Sequence, residues 1–476
     1  MGLRINKDLK LKVEITKKNF PDKNFRKFLL KQDYVENGWV EFLDITSLKI
    51  GVGDSIHNLQ GIEYFTELTE LYIVFPRGEP VSLDLSENIN LKKLEVVDGK
   101  IPTLDLSSNE NLESLNISDT SNLTKLDLSN NINLKELKLV SNHSLAWLDL
   151  TKNIDLEHLS LHNLPSLSSL DLSGNINLKN LSANLRLMKT LDLSSNKNLE
   201  SLYMSYMSNL TKLDLSKNIN LKELEFDRSH SLARLNLKKN INLEHLSLYH
   251  LPALFSLDLS KNANLKELKL RNLGLTVLDL SHNVNLKVLN CTYCSKLTTL
   301  DLSNNINLEK LAYSDIPRLK KIILQKNVNL KSLELDKCSR QATLDLSNNT
   351  MLENVNCSNN RLTTLDVSKC TKLQILYCSN NKLTALDVSK CTKLKELYCS
   401  NNKLAELDVS KCTKLEELYC SNNQLTTLDV SKCTKLQKLD CGNNQLTALD
   451  VSANLGLMFL NFYTPNRDIK VLKKLP

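Results

Sequence analysis

The sequence predicts a solenoid, a stack of short coils that cannot fold one at a time. Three observations lead to this prediction. The motif LDLS or LDVS, or a close variant, recurs eighteen times between residues 83 and 452. Successive copies lie 21 or 22 residues apart. Each period also splits into two similar halves, LxxLDLSxN and LxxLxLxxN, with leucine at the first, fourth and sixth positions. Such coils bury their leucines only by stacking.

A constant period of roughly 20–29 residues with this leucine spacing is typical of leucine-rich repeats. The fourth and sixth positions alternate with an outward residue, which predicts a short strand. Asparagine at the ninth position, as at Asn131 or Asn381, is expected to bond the bend and the next coil. The fold class is therefore a leucine-rich repeat solenoid, a curved, right-handed stack of about 18 parallel-stranded repeats with a small helical N-terminal cap.

Three segments are expected along the 476 residues. Residues 1–65 carry no repeat and form the N-terminal helical cap, residues 66–462 form the repeat array, and residues 463–476 form a C-terminal tail or partial cap. Pro21 and Asp22 favour a helix start in the first segment. The apolar residues at roughly helical spacing around them are Phe20, Phe25, Phe28, Leu29 and Leu30. At the other end, the residues expected to cover the last coil are Met458, Phe459, Phe462 and Tyr463.

The segment DYVENGWVEFLD, from Asp33 to Asp44, aligns loosely with the calcium-binding loop of an EF-hand. Asn37 and Gly38 stand at the fifth and sixth positions of such a loop. However, Val35 occupies the position of the third ligand, and Asp44 is shorter than the usual bidentate glutamate. We expect a turn without metal, and calcium binding is the alternative.

The twelve cysteines invite three interpretations: a disulfide framework, a metal site or redox chemistry. All twelve stand in register with the repeat. Those at the sixth position of the second half are Cys291, Cys357, Cys378, Cys399, Cys420 and Cys441. Those that replace a ninth-position asparagine are Cys294, Cys338, Cys370, Cys391, Cys412 and Cys433. Because each replaces a repeat residue, none needs a chemical role, and we expect a buried ladder of small apolar side chains.

Two further arguments concern cross-links and metal. Stacked strands lie ~4.8 Å apart with parallel Cβ vectors, which holds neighbouring Cβ atoms slightly beyond the usual ~3.5–4.5 Å of a disulfide. Cys291 and Cys294 resemble half a zinc site, but no second pair follows at ligand spacing. The sequence therefore predicts no metal site.

Composition and motifs exclude several functional classes. The net charge of +7 is spread along the chain, with lysine alternating with acidic residues, unlike the clustered basic surface of a nucleic-acid-binding protein. The sequence contains no run of eighteen apolar residues, so membrane insertion is not predicted. The first twenty residues lack the apolar region of a signal peptide. GxSxG, HExxH and P-loop motifs are absent. We therefore predict a protein that is not an enzyme and has no cofactor.

Two columns of outward residues vary to very different extents. The aspartate of LDLS is present in sixteen of eighteen coils, with Asn236 and Ile323 as the exceptions. A row of carboxylates persists only if each one is hydrogen-bonded, to backbone N–H groups or nearby hydroxyls. We interpret this column as architectural. The equivalent position of the other half, the fifth of LxxLxLxxN, varies freely and is the expected contact surface.

Tyrosines in the varied column are the predicted ligand-binding residues on the concave face of the sheet. They are Tyr203, Tyr377, Tyr398 and Tyr419. The last three lie on successive coils and would stack as an exposed aromatic row, which suits contact with a protein or a sugar. The alternative interpretation is recent copying of one coil that happened to carry tyrosine.

The 21-residue repeats with cysteine at the sixth position resemble the cysteine-ladder leucine-rich repeats of bacterial surface proteins of the internalin family. They also resemble secreted or surface leucine-rich proteins of gut anaerobes. The resemblance covers about residues 66–462, although the early coils carry leucine in place of cysteine and repeat every 22 residues. It implies a secreted or cell-surface bacterial protein that adheres to a protein or glycoprotein ligand. Two alternatives are a surface glycan-capture protein and the recognition arm of a larger multidomain protein.

Overall fold

The structure is a computed structural model that describes residues 12–42, 44–79, 81–319, 322–338, 342–464 and 469–472. The chain divides into an N-terminal unit, Met1–Asn240, and a C-terminal unit, Ile241–Pro476. Each unit is a stack of short coils in which parallel strands follow one another. The predicted leucine-rich repeat solenoid is confirmed.

Each LxxLxLxxN half contributes one strand to a parallel sheet. In the N-terminal unit these strands are Ser47–Ile50, Glu70–Val74, Lys93–Val97, Ser114–Ser118, Glu136–Val140, His158–His162, Asn180–Asn184, Ser201–Ser205 and Glu223–Asp227. In the C-terminal unit they are His245–Leu251, Glu267–Leu273, Val288–Thr292, Lys310–Ser314, Ser332–Glu334, Asn354–Asn356, Ile375–Tyr377, Glu396–Tyr398, Glu417–Tyr419, Lys438–Asp440 and Phe459–Asn461. Equivalent positions face each other on neighbouring strands, as in the pairs Leu94↔Leu115 and Leu115↔Leu137.

The LDLS halves form only short pieces of strand. They are Lys125–Asp127, Trp147–Asp149, Lys212–Leu213, Arg234–Leu235, Ala448–Asp450 and, pairing with the last of these, Lys470–Leu472. The leucines of both halves point into the interior of the stack and are almost fully buried, as at Leu134, Leu137 and Leu139. Burial of these columns supplies the core of every coil.

The N-terminal segment contains the predicted helix, Lys23–Leu29. It begins at Asp22, whose carboxylate accepts hydrogen bonds from the backbone N–H groups of Asn24 at 2.7 Å and Phe25 at 3.0 Å, as a helix N-cap does. Phe20, Phe25, Phe28 and Leu29 are buried. Leu30, at the C-cap of the helix, is exposed and does not share this apolar side.

The segment from Asp33 to Asp44 does not form an EF-hand loop. Within it, the strands Val35–Glu36 and Trp39–Glu41 form an antiparallel hairpin, and Trp39–Glu41 also pairs with Lys12–Glu14. Asn37 and Gly38 connect the two strands with φ of 52° and 81°, which suits the tight turn that favours Asn-Gly. Leu43 lies outside the described residues. Within the described ranges, no group of three or more His, Cys, Asp or Glu residues is placed to hold a metal ion.

The ends of the array differ from the expected boundaries. The strand Ser47–Ile50 pairs in parallel with Glu70–Val74, so the sheet begins before residue 66. Two short 3₁₀ helices, Val52–Asp54 and Ile62–Tyr64, connect these strands. Lys470–Leu472 places part of the predicted tail in the stack. No helix in the part of the chain that the structure describes has the length and hydropathy needed to cross a bilayer.

Buried asparagines hold each coil to the one before it, not to the next coil as predicted. In the LDLS half, the side-chain nitrogen of Asn305 donates to the carbonyls of Leu280 at 3.1 Å and Asn283 at 2.9 Å. In the later coils, cysteine takes this position and the Cys391 thiol lies near two carbonyls at 3.7 and 3.9 Å. The buried asparagine of these coils stands in the other half instead.

All twelve cysteines are buried, as their register predicts. Burial raises the pKa of the Cys357 and Cys399 thiols to about 12, because the low-dielectric core disfavours the thiolate. Cys294 differs, since a hydrogen bond with Cys291 lowers the pKa of its thiol. The thiolate is the nucleophile of cysteine chemistry, so nearly the whole set is unreactive in the folded chain.

A maleimide reagent is therefore expected to label few of the twelve cysteines in the native protein and nearly all of them in denaturant. Among the native thiols, Cys294 should react first. Mass spectrometry after timed labelling and proteolysis measures both results. Rapid native labelling of Cys357 or Cys399 would show that the ladder is open to solvent.

Candidate functional site

The constant aspartates are hydrogen-bonded to the turns that follow them. In all sixteen coils the carboxylate oxygen Oδ1 accepts the backbone N–H of the residue two positions later, at 2.8–3.1 Å. Asp387, for example, accepts from Ser389 at 2.8 Å. Asn236 makes the same bond, because its side-chain oxygen accepts the backbone N–H of Lys238 at 3.2 Å. The predicted architectural role of this column is confirmed.

These hydrogen bonds favour the ionised carboxylate. The pKa is lowered in twelve of the aspartates. In eleven of them the largest cause is the hydrogen bond from the backbone N–H two positions later. At Asp127 the largest cause is the hydrogen bond with the Ser129 hydroxyl. The twelve are Asp105, Asp127, Asp171, Asp192, Asp214, Asp279, Asp301, Asp366, Asp387, Asp408, Asp429 and Asp450.

The varied column runs along the outward side of the sheet. Its side chains stand opposite one another on adjacent strands, as in Ser182↔Tyr203, Tyr377↔Tyr398 and Tyr398↔Tyr419. The structure therefore brings Tyr377, Tyr398 and Tyr419 together in the C-terminal unit, and we call these three the tyrosine row. Tyr203 belongs to the N-terminal unit, where no second tyrosine of the column lies beside it on the neighbouring strands.

The rings of the tyrosine row lie against one another, stacked between Tyr377 and Tyr398 and tilted by 54° between Tyr398 and Tyr419. Ring centroids are 4.4 Å apart between Tyr377 and Tyr398 and 4.5 Å apart between Tyr398 and Tyr419. Phe459 continues the series at 6.4 Å from Tyr419. The three tyrosines are consequently half-buried, not exposed as expected. Tyr203, without such a neighbour, is 37% exposed. The contacts between the rings leave each tyrosine of the row only partly open to solvent.

A second constraint was not recognised in the sequence: the hydroxyls are tied to glutamates of the following coil. Tyr377 donates to Glu396 and Tyr398 donates to Glu417. Tyr203 makes the same contact with Glu223, and desolvation together with this carboxylate raises the pKa of Tyr203 to about 12. The sequence signal was a glutamate at the third position of the LxxLxLxxN half in the coil after Tyr203, Tyr377 and Tyr398.

The end of the row departs from this pattern. Lys438 occupies the position where glutamate would stand beside Tyr419, and its ammonium pairs with Glu417 at 2.8 Å. Among the described residues, no hydrogen-bond partner is found for the Tyr419 hydroxyl. Tyr419 is therefore the member of the row whose polar end is available for a partner.

A groove of about 670 Å³ crosses the same outward face within the N-terminal unit. Its ends are formed by long side chains, Lys93 and Glu95 on one side and Tyr203 on the other. Between them the column carries Asn116, Lys138, Ser160 and Ser182, and the two serines are too short to cover the sheet beneath them. These two successive serines in the varied column were the sequence signal for this depression.

Polar contacts arrange the floor of the groove. Asn180 lies 2.8 Å from the Nδ1 atom of His158, and the Ser182 hydroxyl lies 2.9 Å from Nε2 of His162. Burial and then the nearby Lys138 ammonium lower the pKa of His162, which keeps this imidazole neutral near pH 7. The groove thus offers short hydroxyl and amide groups at positions held by their neighbours.

Comparison with known proteins supports the leucine-rich repeat fold. The family model described as leucine-rich repeats (2 copies) matches residues 350–391, 371–412, 392–431 and 413–454, which contain nine of the twelve cysteines. No curated protein sequence matches the chain.

Solved structures extend the similarity beyond those coils. The functional domain of InlJ from Listeria monocytogenes, which includes a cysteine ladder, is 28% identical, with a TM-score of 0.58 over 85% of this chain and 79% of that one. A leucine-rich repeat protein of Leptospira interrogans is 23% identical, with a TM-score of 0.55 over 81% and 93%. Toll of Drosophila, solved with Spätzle, is 18% identical, with a TM-score of 0.56 over 78% and 61%. The chain has the leucine-rich repeat fold, with repeats similar to those of an internalin that carries a cysteine ladder.

Proposed function

We propose that this chain is a non-enzymatic binding scaffold that holds a protein ligand on the outward face of its sheet. One contrast supports the proposal above all. Every aspartate of the constant column is engaged in its own turn, whereas the side chains of the varied column border a groove of about 670 Å³. A column that is constant from coil to coil on one face and a varied column on the other suit a scaffold that presents changeable contacts.

The comparisons support a protein as the partner. Toll is a structure of the same fold solved in complex with the protein Spätzle. The resemblance to internalins further supports secretion or attachment to a bacterial surface, with adhesion to a host or partner protein as the role. This finer assignment is part of the proposal.

The tyrosine row bears on the alternative of glycan capture. Stacking against a sugar ring uses open aromatic faces, but Tyr377 and Tyr398 are stacked on each other at 4.4 Å, and the Tyr419 ring lies 4.5 Å from Tyr398 at an angle of 54°. The parts of the rings that stay open and the Tyr419 hydroxyl remain for contact, and these suit the mixed apolar and polar surface of a protein. The observation favours a protein ligand over a glycan.

The test is a binding screen on paired arrays of extracellular proteins and of glycans. We expect a hit on the protein array. The double variant Ser160→Arg, Ser182→Arg fills the groove and should weaken that hit at least about tenfold, since one lost contact hot spot costs ~2 kcal/mol. Tyr419→Ala probes the tyrosine row in the same way. Thr190→Arg, which adds one arginine to the exposed LDLS face of the N-terminal unit, is the control and should bind normally.

Two outcomes would contradict the proposal. One is binding confined to the glycan array. The other is a protein hit that Thr190→Arg abolishes while the groove variant and Tyr419→Ala retain it, which would place the binding surface on the LDLS face. Circular dichroism of each variant checks that the fold is intact.

A further inference from the structure

A row of cations follows the bend between the two halves of the later coils. Arg361, Lys382 and Lys403 stand immediately before the first leucine of the LDVS half in three successive coils of the C-terminal unit. All three side chains are exposed. Equivalent positions of stacked coils repeat every ~4.8 Å, so these side chains form a line, which we call the basic row. Two earlier coils of this unit are also basic at this position, at Lys296 and Arg318.

The backbone sets the spacing of the basic row. The Lys403 N–H donates to the carbonyl of Leu383 in the preceding coil at 2.8 Å, and the Gln424 N–H makes the same bond to Leu404 at 2.9 Å. The bend therefore stacks in the same way whether its side chain is charged or neutral. The fold does not need a cation at this position.

No carboxylate neutralises the basic row. None of its three side chains has an ion-pair partner among the residues that the structure describes. The columns on its two sides are neutral, with Asn359, Asn380 and Asn401 on one side and Thr363, Thr384 and Ala405 on the other. Like charges at this spacing repel one another. A bound polyanion would relieve that repulsion.

Other lysines of the same coils have different surroundings. Lys369, Lys390 and Lys411 each follow an aspartate of the constant column by three positions. The hydrogen bonds of the turn are the larger causes of the low pKa of these aspartates, and the nearby ammonium lowers the pKa further. These lysines therefore share their charge with carboxylates, and the basic row does not.

The neighbours of the basic row indicate which kind of polyanion it suits. Proteins that bind single-stranded nucleic acid stack the bases on aromatic side chains, and neither flanking column contains one. An extended acidic peptide presents side chains on one face only every ~6.6 Å, which does not match the repeat of the coils. Amides and hydroxyls pair with the hydroxyls of a sugar chain. The amide column is also ordered, since Asn380 donates to Asn359 at 2.9 Å.

We propose that the basic row binds a linear anionic polysaccharide, whose carboxylate or sulfate groups pair with Arg361, Lys382 and Lys403 on successive coils. The flanking asparagine and threonine side chains bond to the hydroxyls of the same sugar chain. The basic row is separate from the groove and from the tyrosine row. The inference is therefore independent of the protein ligand proposed for the sheet face.

The probe is heparin, a linear sulfated polysaccharide, titrated into the full chain by calorimetry at roughly 0.15 M salt. We expect binding that weakens as the salt concentration rises, because salt screens exposed charges. The triple variant Arg361→Gln, Lys382→Gln, Lys403→Gln should weaken it at least about tenfold, since each lost cation is a contact. This variant should fold, because Gln424 holds the same position in the next coil, and circular dichroism checks that it does.

The matched control is the triple variant Lys369→Gln, Lys390→Gln, Lys411→Gln. It removes the same charge from the same coils and should bind heparin normally. Equal losses in the two triple variants would show that heparin responds only to the net charge of +7 and would overturn the proposal. Failure of the unmodified chain to bind heparin would also overturn it, as would tighter binding of single-stranded DNA or polyglutamate than of heparin.

Lengthening the basic row tests the proposal in the opposite direction. Gln424→Lys extends the row from three coils to four and should raise the affinity for heparin severalfold. Thr413→Lys adds the same charge at the other bend of the coil, where the side chain is also exposed, and should leave the affinity unchanged. An equal rise in the two variants would contradict a site confined to the row.

Discussion

Replacing Asn402 by alanine is expected to lower the free energy of unfolding by about 3 kcal/mol or more. The side-chain nitrogen donates to the carbonyls of Cys378 and Cys399, each at 3.0 Å, and the side-chain oxygen accepts the backbone N–H of Leu383 at 3.0 Å. All three backbone groups are buried. Each one left unpaired costs about 1–3 kcal/mol. Urea denaturation measures the loss.

The matched comparison is Asn305, in a coil of the earlier type. Its nitrogen donates to two carbonyls, but no partner for its oxygen is found among the described residues. Asn305→Ala should therefore cost less than Asn402→Ala. Asn305→Cys should cost less still, because Cys391 stands at the equivalent position with its thiol near the equivalent carbonyls. Equal losses at the two asparagines would refute this assignment of hydrogen bonds.

Acid should destabilise the protein steeply, and the aspartate column is the main reason. The pKa of an aspartate such as Asp387 or Asp408 is lower in the folded chain than its ordinary value of 3.8. A group with a depressed folded pKa binds its proton more readily in the unfolded chain. Its stabilising contribution is complete above pH 3.8 and is lost as the pH falls below that value through the folded pKa. Many such groups act together, so the urea midpoint should fall sharply over this window.

The column itself provides a control for that acid effect. Asn236 makes the same bond to the residue two positions later without a titrating group. The triple variant Asp387→Asn, Asp408→Asn, Asp429→Asn should therefore keep its fold at pH 7 and lose less stability between pH 5 and pH 2. An unchanged acid slope in this variant would assign the effect to other carboxylates.

Periodicity predicted those features that every coil shares. The leucine spacing gave the stacked parallel strands, the constancy of the aspartates gave their hydrogen bonds, and the register of the cysteines gave their burial. These inferences succeed because a residue repeated at one position in many coils experiences nearly the same surroundings each time. A single sequence therefore carries many observations of one environment.

Features that arise between columns or at the ends were not predictable in this way. The stacking of the tyrosine row depends on ring orientation, and the hydroxyl bonds depend on a glutamate in another column. The hairpin at Asn37 and Gly38 resembles an EF-hand loop in residue types but differs from it in backbone conformation. Met458, Phe459 and Tyr463 are exposed and do not cover the last coil as expected. They and Leu30 stand where the repeat or the helix stops, so the pattern that placed their neighbours no longer applied.

The hydrogen bonds of the cysteine-containing coils have a consequence for how this protein evolves. Asn423 bonds to the Cys399 carbonyl and to the Leu404 N–H, one coil earlier. If residues 386–406 were lost, the Asn423 side chain would face the Cys378 carbonyl and the Leu383 N–H instead. These residues have the same type and the same repeat position as Cys399 and Leu404. The bonds of the buried asparagines in this block each cross a single junction between coils. Recombination between copies can therefore add or remove whole coils without creating a mismatched joint, and the length of the scaffold can change in steps of ~4.8 Å while its chemistry stays constant.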